Sequence, residues 1–224
     1  MAMDTTSVFD RSEINGAILG DHQYNFILGA VLCWGFAINW LIVRTVDPRL
    51  IVTAMPFWFF LVLYFVSCFA GVWLFKKSIN PVVSFIGYNF VVVPFGFVVN
   101  LVVALYDEEL VVAAIQVTGS VVVVMMVLGT LFPKFFQRIR TVLTLALCLF
   151  ILIEFFLMFT GYAQPGWIDW GVALIFCGYI GYDWGRANQI PKTVDNAVDS
   201  AAALYMDIIN LFLRILRIMG RSKD

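Results

Sequence analysis

Long apolar runs follow one another along this chain of 224 residues, separated by short polar or proline-containing stretches. Hydrophobic residues make up 62% of the chain and charged residues only 13%, whereas soluble domains are roughly half apolar and a quarter charged. About 20 apolar residues in a helix span the hydrocarbon core of a bilayer, and a helix pairs its backbone polar groups internally, as lipid requires. The sequence predicts an all-α membrane protein, a seven-helix transmembrane bundle.

The chain divides into a polar start and one long membrane region. Residues 1–23 are predicted to form an N-terminal cytoplasmic segment, and residues 24–224 a single seven-helix transmembrane domain. Pro94 is expected to kink the third span. The basic stretch 133–140 is interpreted as a loop, and 185–195 as the longest internal loop. The predicted spans cover residues 24–43, 54–75, 81–106, 110–132, 141–160, 167–182 and 196–220.

The distribution of Lys and Arg indicates the orientation. The loops after the third and fifth spans carry none, and the acidic turn 107–109 follows the third span. A cytoplasmic N-terminus puts seven basic residues into the inner loops, namely Lys76, Lys77, Lys134, Arg138, Arg140, Arg186 and Lys192.

The C-terminal basic residues conflict with this orientation, because a seventh full span carries them to the outside. Two arrangements resolve the conflict. The last helix is re-entrant and returns to the cytoplasm, or it is a central helix whose arginines are sheltered by the bundle. The residues concerned are Arg214, Arg217, Arg221 and Lys223.

The last span, residues 196–220, gathers its polar side chains on one side when they are placed at about 100° per residue. A carboxylate facing lipid costs roughly 2.5–3.5 kcal/mol, so this polar stripe is expected to face other helices or water. Leu204, Ile208, Leu211 and Ile215 lie away from the stripe. Its members are Asn196, Asp199, Ser200, Asp207, Asn210, Arg214, Arg217 and Arg221.

Three carboxylates lie within or at the end of the predicted spans, where ionisable residues mark functional sites by default. Asp207 either makes a structural helix–helix hydrogen bond, or coordinates ions or senses protons in a polar cavity. Asp183 is either an interfacial residue or, through the short loop to the last span, a neighbour of Asp207. Glu154 either pairs with Arg214 or Arg217, or packs in a protonated form.

Asp183 and Asp207 are the predicted ion-binding and pH-sensing residues. Two adjacent carboxyls cannot both ionise easily, so the pKa of one rises. A shared proton would hold the two helices together, and its loss would free two hard oxygen ligands of the kind that calcium prefers. Glu154, Asn210 and Arg214 are predicted as supporting polar residues.

Other functional classes are disfavoured by the same sequence. A net charge of -1 gives no field for nucleic acid. The four cysteines form no CxxC pair, and the single histidine, His22, precedes the first span, so no transition-metal site is expected. Metalloprotease, serine-hydrolase and nucleotide-binding motifs are missing. The sequence predicts no enzyme and no cofactor.

Several motifs resemble those of the Bax inhibitor-1 family, also called the transmembrane Bax inhibitor motif family. They are Asn80-Pro81, residues 84–89 (SFIGYN), residues 93–96 (VPFG) and, above all, residues 203–214 (ALYMDIINLFLR). The similarity is strongest to the short-looped bacterial members. It implies a multi-pass protein of the bacterial plasma membrane whose C-terminal helix is central and wrapped by the other six.

The resemblance also implies a site and a function. Family members carry a hydrogen-bonded aspartate dyad near the cytosolic side, and Asp183 and Asp207 match it. The family is associated with pH-sensitive calcium leak, and in animals with suppression of cell death. Some bacterial members instead interact with a membrane-bound AAA protease. At least one bacterial relative has an arginine in the second span beside the dyad; this chain has none, and Arg214 is the candidate replacement.

Two hypotheses follow. In the first, the protein passes calcium or other cations and is gated by the aspartate dyad. In the second, it is a non-transporting regulator that binds another membrane protein, such as a membrane-bound AAA protease.

Overall fold

The computed structural model describes residues 17–222, and this range contains eight α-helices and no strand. Helices α1, α3, α4, α5 and α6 are long and apolar enough to span a membrane. The helices are α1 (Asp21–Thr45), α2 (Pro48–Ala54), α3 (Phe57–Lys77), α4 (Pro81–Val103), α5 (Glu108–Leu131), α6 (Pro133–Thr160), α7 (Gly166–Ala187) and α8 (Val194–Arg221).

The predicted all-helical membrane fold is confirmed, but the count of seven spans is not matched. Five helices qualify as spans by length and composition. Helices α7 and α8 have 22 and 28 residues and are long enough to cross a bilayer. Helix α8 carries six charged residues, and α7 carries three together with several Gly, Tyr and Trp residues, so neither contains an apolar stretch of the required length. A crossing by α7 and α8, and a central position for α8, stay predictions.

One of the eight helices was not predicted. Residues 48–54 were assigned to a loop and the start of the second span, but they form the short helix α2. Asp47 caps it by accepting a 2.9 Å hydrogen bond from the backbone N–H of Arg49. Pro48 at its first position has a φ angle already suited to a helix. The next span therefore begins only at Phe57.

Two predicted loops are wrong in their extent. The basic stretch 133–140 is the first part of α6, because Pro133 starts the helix and Lys, Arg and Gln are good helix formers. The loop predicted at 185–195 covers only residues 188–193, since α7 continues to Ala187. The backbone N–H of Asn196 donates to Thr193 Oγ1 at 3.1 Å and so caps the start of α8.

The chain forms two compact units. Unit 1 contains residues 17–105 and 189–205, and unit 2 contains residues 106–188 and 206–222; α8 contributes residues to both. In unit 1, Tyr205 lies at the centre of an aromatic cluster that includes Tyr88, and its hydroxyl accepts a 2.7 Å hydrogen bond from Asn39.

Pro94 lies within α4, which continues through it. A proline cannot donate to the carbonyl four residues earlier, which here belongs to Phe90. The Ser67 hydroxyl of α3 donates to that carbonyl at 2.7 Å. This bond satisfies the carbonyl that Pro94 leaves unpaired and attaches α3 to α4 at the same level.

In unit 2, glycines let α7 pack directly against its neighbours. A Cβ atom added to Gly181 would lie 2.4 Å from the ring of Phe136 in α6. A Cβ added to Gly129 of α5 would lie 2.4 Å from the carbonyl oxygen of Gly181. Gly185 meets the carbonyl of Gly129 in the same way, at 2.7 Å. Such close backbone approach fixes the position of Asp183, which lies between these two α7 glycines.

Candidate functional site: a carboxyl pair and a charged cluster

The carboxyl groups of Asp183 in α7 and Asp207 in α8 are hydrogen-bonded to each other. Both side chains are buried, with 7% and 8% of their residue surface exposed. An ionised carboxylate only accepts hydrogen bonds, so a bond between two carboxyls needs a proton on one of them. We call these two residues the carboxyl pair. The structure thus brings together the two predicted site residues, while their function stays a prediction.

The surroundings fix the α7 member of the pair. One turn before Asp183, the Tyr179 hydroxyl donates to Thr144 Oγ1 of α6 at 2.9 Å. One residue after it, the indole N–H of Trp184 donates to Thr130 Oγ1 of α5 at 2.8 Å. Asp183 is therefore held between two helices, and Asp207 of α8 meets a side chain that is already positioned.

A cation that acts on the pair was not predicted. Arg140 of α6 acts electrostatically on Asp183, and its guanidinium lies 5.4 Å from the ring centre of Tyr182. Arg140 was not predicted as a site residue because residues 133–140 were interpreted as a loop. Within residues 17–222, no group outside the pair donates a hydrogen bond to Asp207 Oδ2.

The prediction that Arg214 replaces the missing arginine beside the pair is wrong. Arg214 instead binds two other carboxylates. Its Nη1 and Nη2 donate to both carboxylate oxygens of Glu154 in α6, with Nη2–Oε2 at 2.9 Å, and Nη1 also donates to Asp169 Oδ1 of α7 at 2.9 Å. The alternative in which Glu154 pairs with Arg214 is the one observed.

Asp169 is the centre of this second site. It is fully buried and contacts three guanidinium groups. Arg217 Nη1 donates to Oδ1 at 3.2 Å, and Arg221 Nη1 lies 2.7 Å from Oδ2 as an ion pair without hydrogen-bond alignment. We call Glu154, Asp169, Arg214, Arg217 and Arg221 the charged cluster.

Gln164, in the connection between α6 and α7, completes the cluster. Its amide nitrogen donates to Glu154 Oε1 at 2.9 Å and to Asp169 Oδ1 at 3.3 Å, and its carbonyl oxygen accepts from Arg217 at 3.3 Å. Sequence reasoning missed both Gln164 and Asp169. Asp169 could have been found as an acid in the first turn of α7, where the helix dipole favours negative charge.

The charged cluster bears on the conflict over the C-terminal arginines. Helix α8 is continuous from Val194 to Arg221 and shows no re-entrant break. Arg214, Arg217 and Arg221 are sheltered by carboxylates of α6 and α7. The structure therefore favours the alternative in which other helices shelter these arginines.

The remaining predicted site residue lies elsewhere. Asn210 is half-buried and donates to the backbone carbonyl of Met206 in its own helix at 2.7 Å. It makes no side-chain contact that connects helices among the bonds of residues 17–222. Over the same range, no group of three or more His, Cys, Asp or Glu side chains is placed to hold a metal ion.

Comparison with known proteins gives a consistent result. A family model described as "Inhibitor of apoptosis-promoting Bax1" matches residues 21–224. The chain is 32% identical over 144 residues to a BI1-like protein of Arabidopsis thaliana, covering 59% of this chain and 53% of that one. It is 26% identical over 171 residues to Bax inhibitor 1 of Schizosaccharomyces pombe, covering 75% and 63%.

A bacterial relative, an uncharacterized membrane protein of Streptococcus pyogenes serotype M3, is 27% identical over 134 residues, covering 57% of this chain and 58% of the relative. The matches span between 53% and 63% of the length of these three relatives. The family model, in contrast, extends from the start of α1 to the last residue of the chain. This protein therefore belongs to the Bax inhibitor-1 family of membrane proteins.

Proposed function

We propose that this protein is a pH-sensitive leak pathway for cations, calcium foremost, with the carboxyl pair as its latch. The observation that carries the proposal is the hydrogen bond between two buried carboxyls on different helices. The role is non-enzymatic, and the protein lies in a bacterial plasma membrane with its N-terminus in the cytoplasm, as the basic inner loops favour.

The latch works through one proton. While Asp183 and Asp207 share it, they hold α7 and α8 together and carry a single negative charge between them. Loss of the proton leaves two charges side by side in a poorly solvated site. Two unit charges about 4 Å apart repel by roughly 4 kcal/mol at an effective dielectric constant of about 20. That energy is large enough to shift an equilibrium between two arrangements of the helices.

The released carboxylates suit a passing cation. Calcium prefers hard oxygen ligands and takes about 6–8 of them. The pair offers carboxylate oxygens, among them Asp207 Oδ2, to which no group outside the pair donates within residues 17–222. Carbonyls and water would have to complete the shell. Weak, incomplete coordination fits conduction, which requires an ion to leave as well as to enter.

Calcium flux into proteoliposomes tests the proposal. The native protein is compared with Asp183→Asn and Asp207→Asn at several pH values, and Asp107→Asn, an exposed acid before α5, is the matched control. Native flux is expected to rise as the pH rises. Both pair variants are expected to lose this response, because an amide keeps the hydrogen bond without needing a proton. The control should behave as the native protein does.

Two results would count against the proposal. Flux that responds to pH equally in the native protein and both pair variants would remove the latch role from Asp183 and Asp207. No flux above empty liposomes, with protein that is folded by its melting curve, would favour the regulator hypothesis. Purification in mild detergent would then be used to find a membrane protein partner, such as a membrane-bound AAA protease.

A further inference from the structure

We propose that residues 19–24 form a strap that fixes the start of α8 and thereby sets the pH at which the carboxyl pair opens. The inference rests on the proposed function, because it names a control of that latch. The strap consists of the backbone just before α1 and the first turn of α1. It binds residues 189–200, which are the loop before α8 and the first two turns of α8. Both parts belong to unit 1.

The outer tie of the strap joins its first residues to Lys192 in the loop between α7 and α8. The backbone N–H of Leu19 donates to the carbonyl oxygen of Lys192 at 2.8 Å. The Lys192 ammonium also forms a salt bridge with Asp21. A backbone bond and a side-chain bond to the same residue fix the loop in position. Asp21 has 76% of its side chain exposed, so this tie can be changed without disturbing the core.

The inner tie of the strap is buried. Tyr24 of α1 is fully buried, and its hydroxyl is hydrogen-bonded to Ser200 Oγ of α8 at 3.1 Å. The same hydroxyl donates to the backbone carbonyl of Asn196 at 3.4 Å. The Asn196 side chain in turn donates to the carbonyl of Pro191 at 2.7 Å. The loop and the first turns of α8 are therefore held to α1 as one piece.

The inner tie acts on the same side of α8 as the carboxyl pair. Ser200 and Asp207 are seven residues apart, which is nearly two full turns and about 10 Å along the helix axis. Helix α8 is unbroken between them. A rigid helix transmits a displacement from one position to the other. A restraint on Ser200 therefore also restrains the carboxyl group to which Asp183 is bonded.

The loop connects the outer tie to the other helix of the pair. Asp183 lies four residues before the end of α7 at Ala187, and only residues 188–193 separate α7 from α8. Lys192, within this short connection, is fixed by the strap. If the strap contacts weaken when α7 and α8 part, they favour the closed arrangement over the open one. Loss of the strap then lets the pair open at a lower pH.

Other titratable groups act at both places, and their effects have to be kept constant. At the carboxyl pair they come from α6 and α7, namely Arg140 and Tyr179. At the strap they come from α1 and α8, namely His22 and Asp199. All four stay in place in every strap variant, so a shift of the opening pH reports the strap contact itself.

Charge reversal across the outer tie tests the proposal. Asp21→Lys and Lys192→Asp each replace the salt bridge by a repulsion, and the double variant restores it with opposite polarity. Calcium flux into proteoliposomes is measured against pH, and the pH of half-maximal flux is compared. Each single variant should open at a pH lower by about half a unit, which is about a threefold change in the latch equilibrium. The double variant should return to the native midpoint.

Matched controls separate the strap from general effects. Asp107→Lys makes the same charge change at an exposed position before α5 and should keep the native midpoint. Tyr24→Phe removes the hydroxyl of the inner tie and should shift the midpoint in the same direction as the single reversals. Tyr162→Phe, at an exposed tyrosine, should not. A melting curve checks each fold; should Tyr24→Phe unfold, the charge reversals decide.

Two further measurements do not need transport. A carbodiimide, which joins a carboxylate to an amine in contact, should couple Asp21 to Lys192 in the native protein, as detected by peptide mass spectrometry. Lys192→Arg keeps the salt bridge but has no amine to couple, and is the control. The pH at which the melting temperature falls gives a second midpoint for the latch. The single reversals should shift it toward acid by about the same half unit.

The outcomes distinguish the strap from the proposed function. No flux in the native protein, together with the expected shift of the melting midpoint, would remove transport and support the strap. Single reversals that leave the midpoints at the native values would overturn the strap, and so would a double variant that shifts as far as the single ones. Folded native protein in which carbodiimide does not couple Asp21 to Lys192 would show that the outer tie does not form.

Discussion

The carboxyl pair and the charged cluster stabilise buried carboxyl groups in two different ways. Each joins α7 to α8 in unit 2 through buried carboxyl groups, and each includes a fully or almost fully buried aspartate. Asp169 faces three guanidinium groups. Asp183 faces another carboxyl, Asp207, and Arg140 acts on it as a cation. One site neutralises its buried charge with cations, and the other does so with a proton.

The difference decides which site can respond to pH. A guanidinium stays protonated at any physiological pH, so the charged cluster keeps its bonds while the pH varies around neutrality. The carboxyl pair keeps its bond only as long as it keeps its proton. In the proposed function, one end of the α7–α8 contact is therefore fixed by the charged cluster, while the other opens when the carboxyl pair loses its proton.

The largest expected effect comes from removing the centre of the charged cluster. Asp169→Asn leaves three arginines with Glu154 as the remaining carboxylate of the cluster. Breaking a buried ion pair by removing one partner costs about 3–5 kcal/mol, so we expect a large drop in the melting temperature in detergent. Asp107→Asn, at an exposed position, is the control. A drop no larger than that of the control would show that the cluster does not hold the helices.

The next effect concerns the pH dependence of stability. In the proposed latch, the folded carboxyl pair holds a proton that free aspartates, which ionise near pH 4, have lost at neutral pH. Since the folded state then binds more protons than the unfolded one, the free energy of unfolding falls as pH rises. Loss of the hydrogen bond between the two carboxyls should lower the free energy of unfolding by about 1–3 kcal/mol.

Asp207→Asn should flatten this dependence, because its amide donates to Asp183 at every pH. Melting curves in acidic and alkaline buffers measure both proteins. Asp169→Asn serves here as the contrasting variant: it lowers the melting temperature but should leave the slope with pH as in the native protein. Equal slopes for Asp207→Asn and the native protein would contradict the distinction between the two sites.

A smaller effect is expected from the other acid of the charged cluster. Glu154→Gln removes one carboxylate, but Arg214 keeps its bond to Asp169. Losing a hydrogen bond to a charged group costs about 1.5–3 kcal/mol at most, less when a second partner remains. The drop in melting temperature should lie clearly below that of Asp169→Asn. If the two variants were equally unstable, Asp169 would not be the centre of the cluster.

The carboxyl pair could be predicted from the sequence. Asp183 and Asp207 stand out because charge is rare in apolar segments, and a short loop connects their helices. The polar stripe likewise follows from the angular spacing of its residues. Asn196, Asp199 and Ser200 are indeed buried, as expected for a face that avoids lipid.

Of the charged cluster, the sequence offered the pairing of Glu154 with Arg214 as one alternative, but the centre at Asp169 was not predicted, for a physical reason. Its members come from three helices, and ion pairing depends on how those helices are placed, which periodicity does not encode. Asp169 was not among the predicted site residues, and Arg214 could be matched with several acids. Arg140 was likewise not predicted, because a basic stretch after a proline is typical of a loop, whereas Pro133 begins a helix there.

The smallest effect is expected at the edge of the charged cluster. Arg221 has 37% of its side chain exposed and contacts Asp169 without hydrogen-bond alignment. Ion pairs that water reaches contribute about 0–1 kcal/mol and are screened by salt. Arg221→Gln should therefore lower the melting temperature only slightly, and added salt should shrink the difference from the native protein.

Arg214→Gln, less exposed and with two carboxylate partners, is the matched comparison and should cause a larger drop that salt changes little. If Arg221→Gln lowered the melting temperature as much as Arg214→Gln, the contribution of each arginine would not depend on how deeply it is buried. The stability of the α7–α8 contact at this end would then depend on the total charge of the cluster instead of on the buried ion pairs around Asp169.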